Sequence, residues 1–241
     1  VSPVELAGAT VRKATLNNFG DILRKDVKIG SRVLIRRSNE VIPEILGAYE
    51  HTGESVDIQK PLFCPYCGAE LFEEGANVFC PNKKCRPRVA AALANFASKG
   101  GMDVEGFSEM TAYQLIDVLG VSNFSDLYSL DKEKLSRLEG FGDKKIKNLL
   151  GALEKSKQAP LDRFLFALGI DGIGKVASKD LAARFGSVEA LSEATAEDLV
   201  ALENIGEKTA ANVVEYFSSP ENREEIGRLF AAGVSPFVKK R

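Results

Sequence analysis

The sequence predicts a multidomain chain: a small β-barrel, then a four-cysteine zinc module, then an all-α array of repeated helical hairpins. Three observations predict it. Short β-prone runs fill roughly the first 60 residues and then stop. All four cysteines fall between positions 64 and 85. From about residue 89 onward strand signals vanish, and a short glycine hairpin recurs at nearly constant spacing. The expected boundaries are 1–60 for the barrel, 61–88 for the cysteine module and 89–241 for the helices. The helical region divides into two pairs of hairpins, 89–158 and 159–241, at the break Gln158-Ala159-Pro160.

Val4, Leu6, Val11 and Leu16, then Val33-Leu34-Ile35, then Val41-Ile42 and Ile45-Leu46 are β-prone runs separated by turn residues. Asp26-Val27-Lys28-Ile29-Gly30 leads into Ser31–Arg37, a strand that ends in basic residues. Pro43 keeps its segment off a central strand, because it has no N–H for a second neighbour. Several short strands in so few residues predict a small Greek-key barrel, for which the oligonucleotide-binding (OB) barrel is the commonest candidate.

The cysteines read Cys64-Pro65-Tyr66-Cys67 and Cys80-Pro81-Asn82-Lys83-Lys84-Cys85, with twelve residues between the pairs. Paired thiolates at short spacing fit a tetrahedral Zn²⁺ site. Two disulfides are the bland alternative, and an iron or iron–sulfur site a weaker one. Four thiolates leave no open position, so this zinc is expected to hold the fold and not to catalyse. Lys83, Lys84, Arg86 and Arg88 would offset its charge.

The hairpins centre on Phe107, Phe141, Ile173 and Ile205, which are 32 to 34 residues apart. That period suits one supersecondary unit per repeat. The best copies are Gly140-Phe141-Gly142 and Gly172-Ile173-Gly174; weaker ones are Gly106-Phe107-Ser108 and Asn204-Ile205-Gly206. Each lies between apolar-periodic stretches, such as Ile146, Leu149, Leu150 and Leu153, or Leu161, Leu165 and Leu168. Asp131 and Thr195 are expected helix caps. The outer hairpin positions suit a turn that needs positive φ or close backbone approach. The central apolar residue is expected to tuck beneath the helices. This leaves bare N–H groups at the start of each second helix, where the dipole favours a phosphate. Lys144, Lys145 and Lys147, and Lys175 and Lys179, stand where they can assist, although a solvated helix face is the simpler reading of lysines alone.

Composition excludes some classes. The net charge is −2, with 44% hydrophobic and 27% charged residues. The first hundred residues carry about three more basic than acidic groups. No run of about 18 apolar residues exists, so no membrane partner is expected, and no signal peptide is visible. The start at Val1 reads as a piece excised from something larger. The lone histidine, His51, reads as a solvated loop residue, and no Ser/His/Asp set is expected around it. Gly172-Ile173-Gly174-Lys175-Val176-Ala177 matches a dinucleotide fingerprint but lacks a preceding strand. As a P-loop it fails at Val176, which has no hydroxyl for Mg²⁺.

A barrel, a four-cysteine zinc finger and four helix-hairpin-helix units, in that order, resemble the C-terminal portion of bacterial NAD-dependent DNA ligase. The resembling strings are Lys13-Ala14-Thr15-Leu16-Asn17-Asn18, Asp26-Val27-Lys28-Ile29-Gly30, Arg36-Arg37-Ser38-Asn39-Glu40-Val41-Ile42-Pro43, Asp126-Leu127-Tyr128 and Leu168-Gly169-Ile170. The resemblance implies an intact enzyme that uses NAD and magnesium to seal 3′-hydroxyl/5′-phosphate nicks in replication and repair. The adenylylated lysine of that family lies in a K-x-D-G motif, which these residues lack. The resemblance therefore implies a DNA-gripping portion without the adenylation and BRCT domains, inactive alone and binding neither NAD nor magnesium. It also implies a monomer that binds nicked double-stranded DNA without sequence preference in the bacterial cytoplasm, at the nucleoid. A non-catalytic DNA-binding scaffold of a repair nuclease or junction-binding protein is the alternative.

By the same resemblance Arg37 would reach the backbone or minor groove beside a nick, and Val41 and Ile42 would pack against sugars there. Ordinary barrel core is the other reading of those two. Gly140, Gly142, Lys144 and Lys145, Gly172, Gly174 and Lys175, and Gly206 and Lys208 would meet phosphates of both strands. The chain departs from the family pattern at Asn17, at Ser38-Asn39-Glu40, at Ser108 and Asn204, and at Arg86-Pro87-Arg88. These departures rank the second and third hairpins as the main phosphate binders.

Overall fold

A computed structural model describes residues 1–6, 8–38 and 42–238. The chain folds as two compact units, Val1–Lys83 and Lys84–Arg241.

In the first unit β1 (Val4–Leu6) pairs with β2 (Ala9–Val11). Helix α1 (Phe19–Arg24) follows, within a region whose sequence reads as β throughout. It starts because Asn18 is extended and its side chain accepts the Asp21 N–H at 2.9 Å. It buries none of its residues, which is why no apolar stripe announces it. Strand β3 (Lys28–Ile29) pairs with the later β6 (Val56–Asp57), enclosing the long hairpin of β4 (Arg32–Ser38) and β5 (Ile42–Glu50). The register runs from Arg32 opposite Glu50 to Ser38 opposite Ile42, with irregularities at Arg32/Val33 and Leu34/Ile35 that add twist. Pro43 sits inside β5, where its carbonyl takes the Thr15 N–H at 2.9 Å and the Ile45 N–H reaches Thr15 O at 3.2 Å. The stretch around Thr15 thus lies along the second edge of β5. Strands β7 (Phe72–Glu74) and β8 (Asn77–Phe79) form a last hairpin. Among the described residues the ladders join strands two by two. Among its described residues, the buried aliphatics of this unit are Val11, Val27 and Ile45.

The second unit is helical. α2 (Arg86–Ala97) and α3 (Glu109–Leu119) pack together, followed by a 3-10 turn at Ser125–Ser129 and the short α4 (Lys132–Leu135). α5 (Asp143–Ser156) closes the first half, and Pro160 opens α6 (Leu161–Ala167) after the expected break. α6 packs on α7 (Lys175–Phe185). Then come α8 (Val188–Ser192), α9 (Ala196–Val200), α10 (Glu207–Ser218) and α11 (Pro220–Ala231).

Helical spacing puts Ile146, Leu149 and Leu153 on the inner face of α5, and Ala210, Val213 and Phe217 on that of α10. Phe96 is wholly buried and stacks on Phe124 with centroids 4.5 Å apart. Burial of each such large side chain contributes roughly 1.5–3 kcal/mol. The segment after α11 returns to the break: the Ser235 N–H donates to Lys157 O at 2.8 Å, and the Leu161 N–H to Phe237 O at 2.7 Å. Of the tail expected to be disordered, Val238 is described and exposed; 239–241 lie outside the described residues.

Candidate nucleic-acid interface and metal centre

The four hairpins share one backbone plan. The central residue donates its N–H to the carbonyl three positions earlier: Phe107 to Val104, Phe141 to Leu138, Ile173 to Ile170 and Ile205 to Leu202, at 2.9 to 3.3 Å. Its side chain turns inward, with Phe141, Ile173 and Ile205 at 7, 6 and 3% exposure and Phe107 half-buried. The next residue is the N-cap of the following helix: Ser108 for α3, Gly142 for α5, Gly174 for α7 and Gly206 for α10. A period of 32 to 34 residues therefore repeats an apolar plug followed by a helix N-terminus.

The four N-termini are not equivalent. Ser108 Oγ accepts the Thr111 N–H at 3.1 Å, so one of the orphan donors of α3 is already engaged, and Glu109 follows at once. Gly142, Gly174 and Gly206 have no side chain to cap with. A Cβ at any of the three would meet nothing within 4 Å, so each opens onto unfilled space. At α5 the first-turn acid Asp143 is paired with Lys132 at 2.9 Å, which holds its carboxyl below the usual range. α7 has no acid in its first turn and begins with Lys175. α10 keeps Glu207 there. Charge and cap together favour an anion most at α7, then at α5.

The sequence-predicted lysines fall beside these termini. Lys144 and Lys145 are exposed in the first turn of α5, with the Lys145 ammonium over the Phe141 ring, 3.8 Å from its centroid. An open cleft of about 390 Å³ between the first and second hairpins is lined by Glu105, Gly106, Gly142, Lys144, Lys145 and Asn148. Lys175 is exposed, with Nζ 5.9 Å from the centre of the Phe166 ring. Lys208 is exposed in the first turn of α10.

The paired positions in each hairpin serve different needs. Gly140 and Gly172 have φ of +73° and +85° and are tied to glycine by conformation. Gly142 and Gly174, at φ −80° and −90°, are ordinary extended residues. Positive φ therefore explains only the first of each pair; the second keeps the backbone bare. In the fourth hairpin Asn204 is not among the residues of positive φ, and its side-chain amide donates to Asp180 at 2.7 Å.

In the first unit Arg37 is half-buried in β4 opposite Pro43, with Nη1 3.5 Å from Leu6 O. Ile42 starts β5 and is 60% exposed, which removes the core reading for that residue. Val41 lies outside the described residues.

The four cysteine sulfurs lie within 4.8 Å of one another. None is in a disulfide; the Cys67 and Cys80 sulfurs are 3.5 Å apart, far beyond a bonded ~2.05 Å. Four sulfurs around one ion at about 2.3 Å stand ~3.8 Å from each other, so this donor set fits a tetrahedral tetrathiolate metal. Local backbone sets it up: the Gly68 N–H donates to Cys64 O and the Cys64 N–H to Ala69 O, both at 2.8 Å. Cys85 is the N-cap of α2, where the helix dipole favours a thiolate. The Cys67 thiol is lowered to about 6, chiefly by the Ala69 backbone N–H and then by the Asn82 side chain.

One grouping runs against the sequence analysis. Because Arg32 pairs with Glu50, the flanking Ser31 and His51 meet: Ser31 Oγ is 2.9 Å from His51 Nδ1, and Asp26 Oδ2 is 2.8 Å from His51 Nε2. An Asp–His–Ser array therefore does form around the lone histidine, which is tied down at both ring nitrogens. The Ser31 N–H is spent on Lys28 O and the Ser31 hydroxyl accepts the Lys28 N–H, both at 3.1 Å. The serine's own N–H thus offers nothing to an oxyanion, and the array reads as a turn lock. Only the strand register reveals it.

Three segments of the chain match known domain families. Residues 1–56 match the NAD-dependent DNA ligase OB-fold domain. Residues 102–155 match the SAM-like helix-hairpin-helix tandem, and 163–226 match the helix-hairpin-helix motif. DNA ligase 2 of Clostridium acetobutylicum is 46% identical over 242 residues, covering 100% of this chain and 36% of that protein. The DNA ligase of Alkaliphilus metalliredigens is 47% identical over 243 residues, again 100% of this chain and 37% of the relative. Over its whole length this chain is similar to one stretch of these DNA ligases. The chain spans 36–37% of the length of these ligases. Within the ligase framework the first unit carries the OB-fold domain and the second the tandem hairpins. No helix among the described residues is long and apolar enough to cross a membrane.

Proposed function

We propose that this chain is the duplex-gripping portion of an NAD-dependent DNA ligase, holding nicked double-stranded DNA without regard to sequence while the intact enzyme joins the 3′-hydroxyl and 5′-phosphate. The observation that carries this is the repeated bare helix N-terminus at Gly142, Gly174 and Gly206, each open to space, in a chain matched over its full length by DNA ligases. Main-chain N–H groups read phosphates, which every sequence offers equally. Gly140, Gly142, Lys144 and Lys145, Gly172, Gly174 and Lys175, and Gly206 and Lys208 are the contacts proposed for the helical part. Arg37, Val41 and Ile42 are those proposed for the barrel, where an exposed aliphatic beside a cation suits the minor groove.

The proposed division is an OB barrel at 1–60, a zinc finger at 61–88 and hairpin pairs at 89–158 and 159–241. Cys64, Cys67, Cys80 and Cys85 would hold a structural zinc, whose contribution is to cross-link two cysteine knuckles that have few buried aliphatics around them. NAD and magnesium belong to the adenylylation chemistry of the intact enzyme. These 241 residues contain no Lys-x-Asp-Gly, so we assign them no part in accepting AMP. A monomer acting in the bacterial cytoplasm at the nucleoid fits a replication and repair ligase.

The test is a fluorescence anisotropy titration of the chain against nicked, intact and sequence-scrambled duplexes over a range of salt. Binding of comparable strength to all sequences, falling steeply as salt rises, is expected from counterion release. Absent binding, or affinity indifferent to salt, contradicts the reading. Incubation with labelled NAD⁺ should leave no AMP on the chain.

A further inference from the structure

Glu225 is a carboxylate in α11 that the phosphate contacts do not use, and it is 9% exposed. A buried charge is costly unless it is bonded and paired. Here it is both. The Ser125 N–H donates to one oxygen at 2.7 Å and the Ser125 hydroxyl to the other at 2.8 Å. Arg228 adds Nε at 3.0 Å and Nη2 at 2.7 Å. Ser125 is 100 residues away in sequence and starts the 3-10 turn of the first helical half. That turn is bonded to α5 through Tyr128 Oη and Ser156 Oγ at 2.8 Å, and α5 begins at Gly142 of the second hairpin. On the other side α11 packs on α10, which begins at Gly206 and whose Thr209 abuts Gly172 of the third hairpin.

We infer that Glu225 is a positioning residue: a clamp that fixes the spacing of the second hairpin relative to the third and fourth, so that both pairs meet one duplex together. The inference rests on the phosphate reading of the hairpins proposed above. Two phosphate sites in fixed register act as one bivalent surface, because the second engages at high effective concentration once the first is bound. Loosened, the second site engages at a lower effective concentration. A carboxylate suits the task because it takes two donors from Ser125 while Arg228 neutralises it.

The experiment compares duplex affinity and its salt dependence for the 241-residue chain, Glu225→Ala, Glu225→Gln, Ser125→Ala and Gly174→Val, with far-UV circular dichroism confirming the fold of each. Glu225→Ala should bind at least fivefold more weakly, with a shallower slope of log affinity against log salt because fewer phosphates are engaged at once. Glu225→Gln keeps an acceptor for Ser125 and should recover much of both. If Glu225→Ala fails to fold, Ser125→Ala decides, since it removes one cross-link and leaves the Glu225–Arg228 pair; a weaker shift in the same direction is expected. Gly174→Val tests the phosphate reading separately. If it binds like the parent, that reading fails and the clamp has nothing to position. If it weakens binding while the folded Glu225 and Ser125 variants keep the parent affinity and salt slope, the clamp is overturned and the phosphate reading stands.

Discussion

Gly140 and Gly142 lie two residues apart in one hairpin and are glycines for different reasons: Gly140 has φ +73°, whereas Gly142 has φ −80° and faces open space. Gly140→Ala should cost about 1–2 kcal/mol, the penalty of a Cβ in the left-handed region, read by chemical denaturation. Gly142→Ala should cost under about 1 kcal/mol, since glycine is only a moderate N-cap, and should still weaken duplex binding several-fold by crowding the approach of a phosphate. Equal behaviour of the two variants in both assays would contradict this division of roles.

Gly172 carries an additional constraint. A Cβ there would sit 2.6 Å from Thr209 Oγ1 and 3.1 Å from its Cγ2, on top of a φ of +85°. Gly172→Ala is therefore expected to lower stability more than Gly140→Ala. Adding Thr209→Ala, which removes both the hydroxyl and the methyl, should restore part of the loss in denaturant melts; a null effect of the second change would argue against the clash.

The repeat, the cysteine set and the break at Gln158-Ala159-Pro160 were legible because each rests on short-range chemistry. Thiolate spacing, helix caps such as Asp131 and Thr195, and apolar periodicity all act within a few residues. What was illegible depends on longer-range geometry. Helix α1 has no buried face to betray it. Ser31 and His51 meet only through the β4–β5 register. Glu225 finds Ser125 across 100 residues. The distinction between Gly140 and Gly142 needs backbone angles, because the letter is the same.

Ser108 offers a gain-of-function test. Its hydroxyl caps α3, and Ser108→Gly should cost only a few tenths of a kcal/mol while releasing the Thr111 N–H. Duplex affinity should rise about twofold as a further weak phosphate site opens, with Glu105 and Glu109 limiting the gain. Ser108→Ala should cost about 1 kcal/mol, the usual loss of a serine cap. A lower affinity of the glycine variant would show that the serine itself contacts DNA.

Metal removal should act on the cysteine knuckles and spare the helical core. Chelation is expected to loosen the cysteine knuckles, because few buried aliphatics surround Cys64, Cys67 and Cys80 to replace the cross-link. The helical unit keeps its own core, so far-UV helical signal should persist. Cobalt(II) reconstitution should give the intense visible absorption of a tetrahedral tetrathiolate. Cys67→Ser should weaken that band, and loss of all helical signal on chelation would contradict independent cores.

Acid should act on α9 through its capping box. The Asp198 carboxyl lies below its usual value of 3.8, held there by the Thr195 backbone N–H and hydroxyl. A depressed folded value means the stabilisation is complete above the unfolded value and is lost as pH falls through the lower folded one. Asp198→Asn should therefore be less stable than the parent at neutral pH, and the two should converge in strongly acidic solution. A difference that persists or grows there would reverse the assignment.

Bare helix N-termini of the hairpins are proposed to hold DNA phosphates. The most direct measurement is a ¹⁵N–¹H titration of the labelled chain with a nicked duplex, following backbone amides at the starts of the four helices. Large shifts are expected for Lys144 and Lys145 and for Lys175, Val176 and Ala177, smaller ones for Lys208 and Thr209, and little change for Met110 and Thr111 behind the Ser108 cap. Unmoved amides at α5 and α7 in a chain that binds the duplex would contradict that proposal.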